Sequence, residues 1–146
     1  KIMAITSAIC NSFKVEILKA VHNFTASTGN VFNLALYTSS ASLGAGTTAY
    51  TTSGEVATAT GYTAKGKVIT SVTPVLDSST AVCDFADISW TSASFTTRGC
   101  LIFNETAAGD PSVCAVDFGG DKTVSSGTFT IQFPTADASS AIVRIA

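Results

Sequence analysis

Charge is the scarcest ingredient of this sequence. Eight Lys and Arg with ten Asp and Glu make up only 12% of 146 residues, about half the ~25% usual for soluble domains. The net charge is −2, and the basic residues are scattered with no run among them. Binding to nucleic-acid phosphates needs clustered cations, so nucleic acid is excluded as a partner class. No apolar stretch approaches the ~20 residues that a membrane-spanning helix requires, and the opening residues carry no signal-peptide pattern. The expectation is a soluble, untargeted chain that engages neither membrane nor nucleic acid.

Histidine is almost missing as well. With His22 alone, any Ser-His-Asp or Cys-His machine has one residue to be built around. His22 falls at the end of a predicted helix, where a histidine meets the last carbonyls and the helix dipole; a capping or packing role is expected. The four cysteines, Cys10, Cys83, Cys100 and Cys114, include no Cys-x-x-Cys pair, which removes the strongest zinc and thioredoxin signals. Three of them lie in apolar strand-like runs, where free Cys behaves as a small hydrophobe, so reduced core thiols are expected.

The seven aspartates form no Asp-x-Asp-x-Asp-Gly calcium loop. Asp84 and Asp87 are near neighbours without a fixed geometry, and Asp110-Pro111 and Asp137 read as turns. Asp117-Phe118-Gly119 spells the kinase magnesium motif, but the chain lacks the length, the His-Arg-Asp loop and the Gly-rich loop of a kinase. Gly119-Gly120-Asp121 instead reads as a hairpin turn. Asn23-Phe24-Thr25 and Asn104-Glu105-Thr106 match the glycosylation pattern, which without a secretory signal has no consequence. No catalytic, metal-ligating or cofactor-binding residue is assigned, and no enzymatic activity is expected.

What the sequence does hold is hydroxyl groups: 18 Ser and 22 Thr, beside 46% hydrophobic residues. Thr favours strands because its branched Cβ fits a pleated surface, and a neutral hydroxyl surface repels neighbouring copies weakly. A chain of this length buries enough surface to fold as one domain without staples; no internal repeat or linker divides residues 1–146.

Phe13, Ile17, Ala20, Val21 and Phe24 follow helical spacing, predicting one amphipathic helix over about 11–24, capped by Asn11 or Ser12. Strand patterns follow at Val31 to Thr38, Lys67 to Leu76, Ala81 to Trp90 with a bulge near Ala86-Asp87, Phe95 to Phe103, Ser112 to Phe118, Gly127 to Phe133 and Ala141 to Ile145. In Gly127 to Phe133, Phe129, Ile131 and Phe133 are expected inward and Thr128, Thr130 and Gln132 outward; Pro134 ends the pairing. The fold class is mostly β: a β-sandwich or jelly-roll-like barrel with one N-terminal helix. Between the strands, residues 39–62 form a long Ser/Thr/Gly-rich stretch without periodicity. Such a stretch in a compact domain usually serves function or assembly. It is expected to be a loop or arm that orders against a neighbour, with Leu43, Tyr50, Val56 and Tyr62 as candidate interface residues.

Several phrases then stand together in order: Cys10 to Lys14 (CNSFK), His22-Asn23-Phe24, Ala35 to Thr38 (ALYT), Gly54-Glu55-Val56 and Gly61-Tyr62. They continue with Asp84 to Asp87 (DFAD), Trp90, Arg98-Gly99, Phe103-Asn104, Asp117-Phe118-Gly119 with Asp121-Lys122, Gly127-Thr128-Phe129, and Phe133-Pro134 before Ala141-Ile142. In this order, over nearly the whole chain, they resemble a family of small tailed-phage virion proteins; Ala64 to Lys67 (AKGK) departs from the Gly-Gly pair expected there. The resemblance implies a virion component assembled in the host cytoplasm. The capsid cement or decoration type is favoured, with the major capsid protein and copies of itself, as dimer or trimer, for partners. A tail, baseplate or fibre-associated protein is the alternative. A carbohydrate-binding module would instead line a groove with Trp90, Tyr37, Tyr50 and Tyr62.

Overall fold

The computed structural model describes residues 3–59 and 61–146. The chain runs through β1 (Ala8–Ile9), α1 (Asn11–Leu18), β2 (Phe32–Tyr37), β3 (Lys67–Ile69), β4 (Ser71–Asp77), β5 (Thr80–Phe85), β6 (Ile88–Asn104), β7 (Ser112–Ile131) and β8 (Val143–Ile145). All strand pairings are antiparallel. They make a five-stranded sheet in the order β1-β7-β6-β2-β3 and a three-stranded sheet in the order β4-β5-β8. The sheets stay separate, so the architecture is the sandwich and not the barrel.

Strand β2, beside the central β6 of the large sheet, has all six of its positions buried. Alternate side chains of a strand point to opposite faces, so β2 has cover on both. Phe32, Leu34 and Leu36 enter the core between the sheets, with Ile102 and Cys100 of β6, Phe85 of β5 and Val143 of β8. Ala35 and Tyr37 enter a second cluster on the outer face of the large sheet, with Leu101, Phe103 and Ala115. Aromatic rings knit the first core: Phe24 stacks on Phe32 at 4.4 Å between centroids, and Phe85 meets Phe32 edge-on at 6.0 Å.

The helix is shorter than its apolar stripe predicts. It ends at Leu18 because Ala20 turns into the left-handed region (φ 57°). There the amide of Val21 bonds the Glu16 carbonyl (3.0 Å) and that of Ala20 the Ile17 carbonyl (3.2 Å), a Schellman closure. Beyond it the chain is extended, so His22 and Phe24 are buried and Asn23 exposed with a period of two. The capping expectation is also corrected: Cys10 occupies the cap position without a side-chain bond to the helix amides. Asn11 instead accepts from Lys14 at 3.3 Å, and the Ser12 hydroxyl is buried without a partner.

Two further expectations change for one reason, the length of the β6–β7 pair. Gly119-Gly120-Asp121 is no hairpin turn but lies inside β7, where the register passes from Gly99↔Asp117 to Thr97↔Lys122 and leaves 118–121 bulged opposite Arg98. The parity shift at Ala86-Asp87 is not a bulge within one strand. It marks the crossing from β5 in the small sheet to β6 in the large one. Register breaks also fall between Trp90/Ala93 and Ala93/Phe95, and together they coil the ribbon. Phe118 and Phe129 of the same strand therefore meet at 6.2 Å between ring centroids, where a straight strand would hold them roughly 35 Å apart.

Candidate assembly surface

The segment expected to reach a neighbour is used by the chain itself. Leu43 and Val56 are 4% exposed and Tyr62 is 2% exposed, while Tyr50 is half-buried with its ring 4.9 Å from Phe103. Ala41, Leu43 and Tyr50 cover Ala35, Tyr37, Leu101, Phe103 and Ala115 on the outer face of the large sheet. Val56 and Tyr62 reach the core between the sheets. The physical reason is that β2 and β6 are apolar on both faces, and this segment supplies the outer face with its cover. These four residues are thus core contacts, and 39–62, described except at position 60, is a cover and not an arm.

A half-buried carboxylate fastens that cover. Glu55 accepts from the hydroxyls of Tyr62 (2.8 Å) and Tyr50 (2.5 Å) and from the amide of Lys65 (2.7 Å). Tyr62 in turn accepts the buried amide of Leu36 at 2.9 Å. Burial, with the Glu55 carboxylate adding to it, pushes both phenols above the usual tyrosine range, so they remain donors through neutral pH. The Lys65 ammonium sits 3.1 Å from Glu105 and 3.0 Å from Asp110, and its bonds to Asp110 and Glu105 hold its pKa above the ordinary lysine value.

His22 is packed among Phe13, Phe24 and Phe32 at 5.0 to 6.3 Å between ring centroids. Its Nε2 lies 2.8 Å from Glu16 and its Nδ1 3.2 Å from Asn104 Nδ2. Asn104 is oriented by the Thr106 and Ala107 amides, both donating to its Oδ1 at 3.1 Å. Its NH₂ therefore faces Nδ1, which accepts, and Nε2–H donates to Glu16. With both nitrogens engaged, His22 joins the helix end to the β6–β7 turn; sequence reasoning placed it at the helix end but missed Asn104, 82 positions away.

The four cysteines are unpaired, and burial pushes the thiols of Cys83 and Cys100 up to about 11 and about 12. Both stay protonated at neutral pH, the opposite of an activated nucleophile. Asp84 and Asp87 do different work: Asp84 sits opposite Val72 in the β4–β5 pair, and Asp87 accepts the Phe133 amide at 2.9 Å. Asn104 is fully buried, so the second glycosylation-like triplet is closed to modification. Among the described residues no group of three His, Cys, Asp or Glu could hold a metal ion, and no helix is long and apolar enough to cross a membrane. Trp90, Tyr37 and Tyr62 are at most 2% exposed, and Lys65 lies over the Tyr50 ring at 5.6 Å; none of the four is free to stack on a sugar.

What faces outward is of two kinds. The coiled ribbon exposes Thr91, Ser92, Thr96, Thr123, Ser125, Ser126, Thr128 and Thr130, with cross-strand hydroxyl pairs Ser89–Thr130 at 2.7 Å and Thr96–Thr123 at 2.9 Å. The small sheet and β3 expose apolar side chains instead: Val68 (62%), Val72 (45%), Val75 (59%), Leu76 (72%) and Ile145 (52%). Strands β4 and β8 are the two edges of the small sheet. Leu76 and Ile145 both sit opposite Ala81 of β5, placing an apolar row across all three strands.

The class that this geometry defines is a two-sheet antiparallel β-sandwich domain whose exposed surface is hydroxyl-rich on one side and apolar at the small sheet. Comparison with known protein families, curated proteins and solved structures finds no match.

Proposed function

We propose that the protein is a structural component of a tailed-phage particle, acting as a capsid cement or decoration protein that binds across the joints between shell subunits. The observation that carries this reading beyond the sequence resemblance is the apolar row Leu76-Ala81-Ile145 on a small sheet with two free edges. An exposed apolar patch at a sheet edge marks a contact surface. Six of the eighteen charged residues are paired with one another: Arg98 with Asp117 and Asp121, Lys65 with Glu105 and Asp110. Little like charge remains to keep copies apart. The partners in this reading are the major capsid protein and further copies of the chain, as dimer or trimer. Modest contacts suffice there, because a protein that binds only the closed shell stabilises it by mass action, and each bridged contact raises the effective concentration of the next.

The test is made on particles. Particles assembled without the protein should form but lose heat or salt resistance, and Leu76→Asp with Ile145→Asp should abolish particle binding while the isolated domain stays folded. A copy number comparable to that of the major capsid protein supports a shell position. Full particle resistance with loss of adsorption would overturn it in favour of a tail, baseplate or fibre position.

A further inference from the structure

The peptide bond between Asp110 and Pro111, in the turn from β6 to β7, is held in a strained geometry. Asp110 lies in the left-handed region at φ 50°, a conformation disfavoured for a residue with a side chain. The proline that follows adds to the cost, because its ring presses the preceding residue toward extended backbone at negative φ. Contacts on every side keep the turn from relaxing. The Tyr50 amide donates to the Asp110 carbonyl at 2.9 Å, the Asp110 amide to the Ala107 carbonyl at 3.2 Å, and the Asn104 amide to the Pro111 carbonyl at 2.9 Å. Pro111 itself is buried and bridged to Ala49. Strain that the surroundings over-determine in this way clusters at functional sites.

The same contacts set out the parts of an acyl-transfer reaction. An aspartate carboxylate is one methylene from its own backbone and can close on its own carbonyl carbon as a small ring, so the strained residue supplies the nucleophile. The Lys65 ammonium, 3.0 Å away, holds Oδ2, and Oδ1 accepts no hydrogen bond among the described residues. The Tyr50 N–H already sits on the carbonyl oxygen, where negative charge develops when the carbon is attacked. Gly109 beside the bond is exposed, so water reaches it. The proline nitrogen departs as a secondary amine, and breaking the bond releases the strain at Asp110.

We propose that the protein cleaves its own chain between Asp110 and Pro111. Asp110 Oδ1 attacks the Asp110 carbonyl carbon, the C–N bond to Pro111 breaks, and the departing nitrogen takes a proton from water. The hydroxide left behind opens the cyclic anhydride on Asp110. One peptide bond is hydrolysed for one water consumed, with no change of oxidation state. The products, residues 1–110 and 111–146, remain one folded unit, because β6 and β7 stay paired from Ile88↔Ile131 to Phe103↔Ser112. The reaction requires no particle and no partner.

The test is the mass of the full chain, held folded at neutral pH for days and then denatured for mass spectrometry. Two fragments whose masses sum to the parent plus one water are expected, formed at a rate independent of protein concentration, while the undenatured sample still elutes as a single species. In urea at the same pH the bond loses both its strain and its Tyr50 contact, and should break roughly tenfold more slowly. Asp110→Gly removes the nucleophile at a position whose positive φ suits glycine; it should fold and stay uncut. In water enriched in heavy oxygen, label should enter the side-chain carboxyl of Asp110 as well as the new C-terminal carboxyl, because the anhydride opens at either carbonyl. The proposal is overturned by a folded chain that stays whole, by equal rates in urea and native buffer, or by cleavage of Asp110→Gly at the parent rate. Label confined to the C-terminal carboxyl, the mark of a contaminating protease or of direct hydrolysis, would also overturn it.

Discussion

The hydroxyl of Tyr62 stands between the Leu36 amide, which donates to it at 2.9 Å, and the Glu55 carboxylate, to which it donates at 2.8 Å. One oxygen thus joins β2 to the segment that covers it. Tyr62→Phe keeps the ring but leaves the Leu36 N–H buried without an acceptor. It should cost about 2 kcal/mol, read as a lower urea midpoint at unchanged slope. An unshifted midpoint would mean that the bond carries no net stability.

Removing the cover as a whole is a harsher test. Deletion of 39–62 would strip Ala35, Tyr37, Leu101, Phe103 and Ala115 of their apolar neighbours, and should yield an insoluble or unfolded chain. A soluble deletion with a cooperative melt would restore the idea of a dispensable arm.

Backbone strain gives a prediction of the opposite sign. Ala20 is exposed and left-handed at φ 57°, a conformation that costs an L-residue roughly 1–2 kcal/mol. Ala20→Gly should stabilise the protein by about 1 kcal/mol, read as a higher melting temperature. Gly66→Ala should do the reverse, because at φ 67° its methyl group would collide with the Leu34 carbonyl. At Gly46 a methyl meets nothing within 4 Å, so Gly46→Ala serves as the neutral control.

Asn104 holds five partners at once: His22, Asn30, the Val21 carbonyl and the amides of Thr106 and Ala107. Asn104→Ala should destabilise by about 3 kcal/mol, since several buried groups lose their partners together. His22→Gln should cost less, read as a melting temperature between those of Asn104→Ala and the parent chain; a loss as large as that of Asn104→Ala would make His22 the main holder of the cluster.

Alkali should unfold the protein earlier than its composition suggests. The Cys100 thiol is raised by burial from 9.0 to about 12, so between these values the folded state holds a proton that the unfolded state has released. Stability is therefore fully present below pH 9 and falls as pH rises through that window, by up to about 1.4 kcal/mol per pH unit for this thiol. Cys83, raised to about 11, acts in the same direction. Cys100→Ala should flatten the decline in melting temperature above pH 9; an unchanged slope would show that other groups control it.

The strands were legible where one face is wet and the other dry. In Gly127 to Phe133 the alternation placed Phe129, Ile131 and Phe133 on the core side and Thr128 and Thr130 outward, as found. The helix was legible at its start but not at its end. Val21 and Phe24 fall on the helical stripe by coincidence of spacing, while the left-handed turn at Ala20 leaves no composition signal. The Glu55 cluster was not legible: Tyr50, Glu55, Tyr62 and Lys65 lie near one another in sequence, but in a segment without periodicity, so which of its side chains converge is set by how that segment lies on the sheet.

Composition and periodicity determined that the chain would bury a β core under a low-charge, hydroxyl-rich surface, because strand alternation and the desolvation of charge act residue by residue. The tertiary structure decided where the irregular segment lies and which apolar residues stay exposed. Burial of a residue outside regular elements depends on which surface lacks cover. Here the bare surface is the outer face of β2 and β6, which exists only once the large sheet has formed.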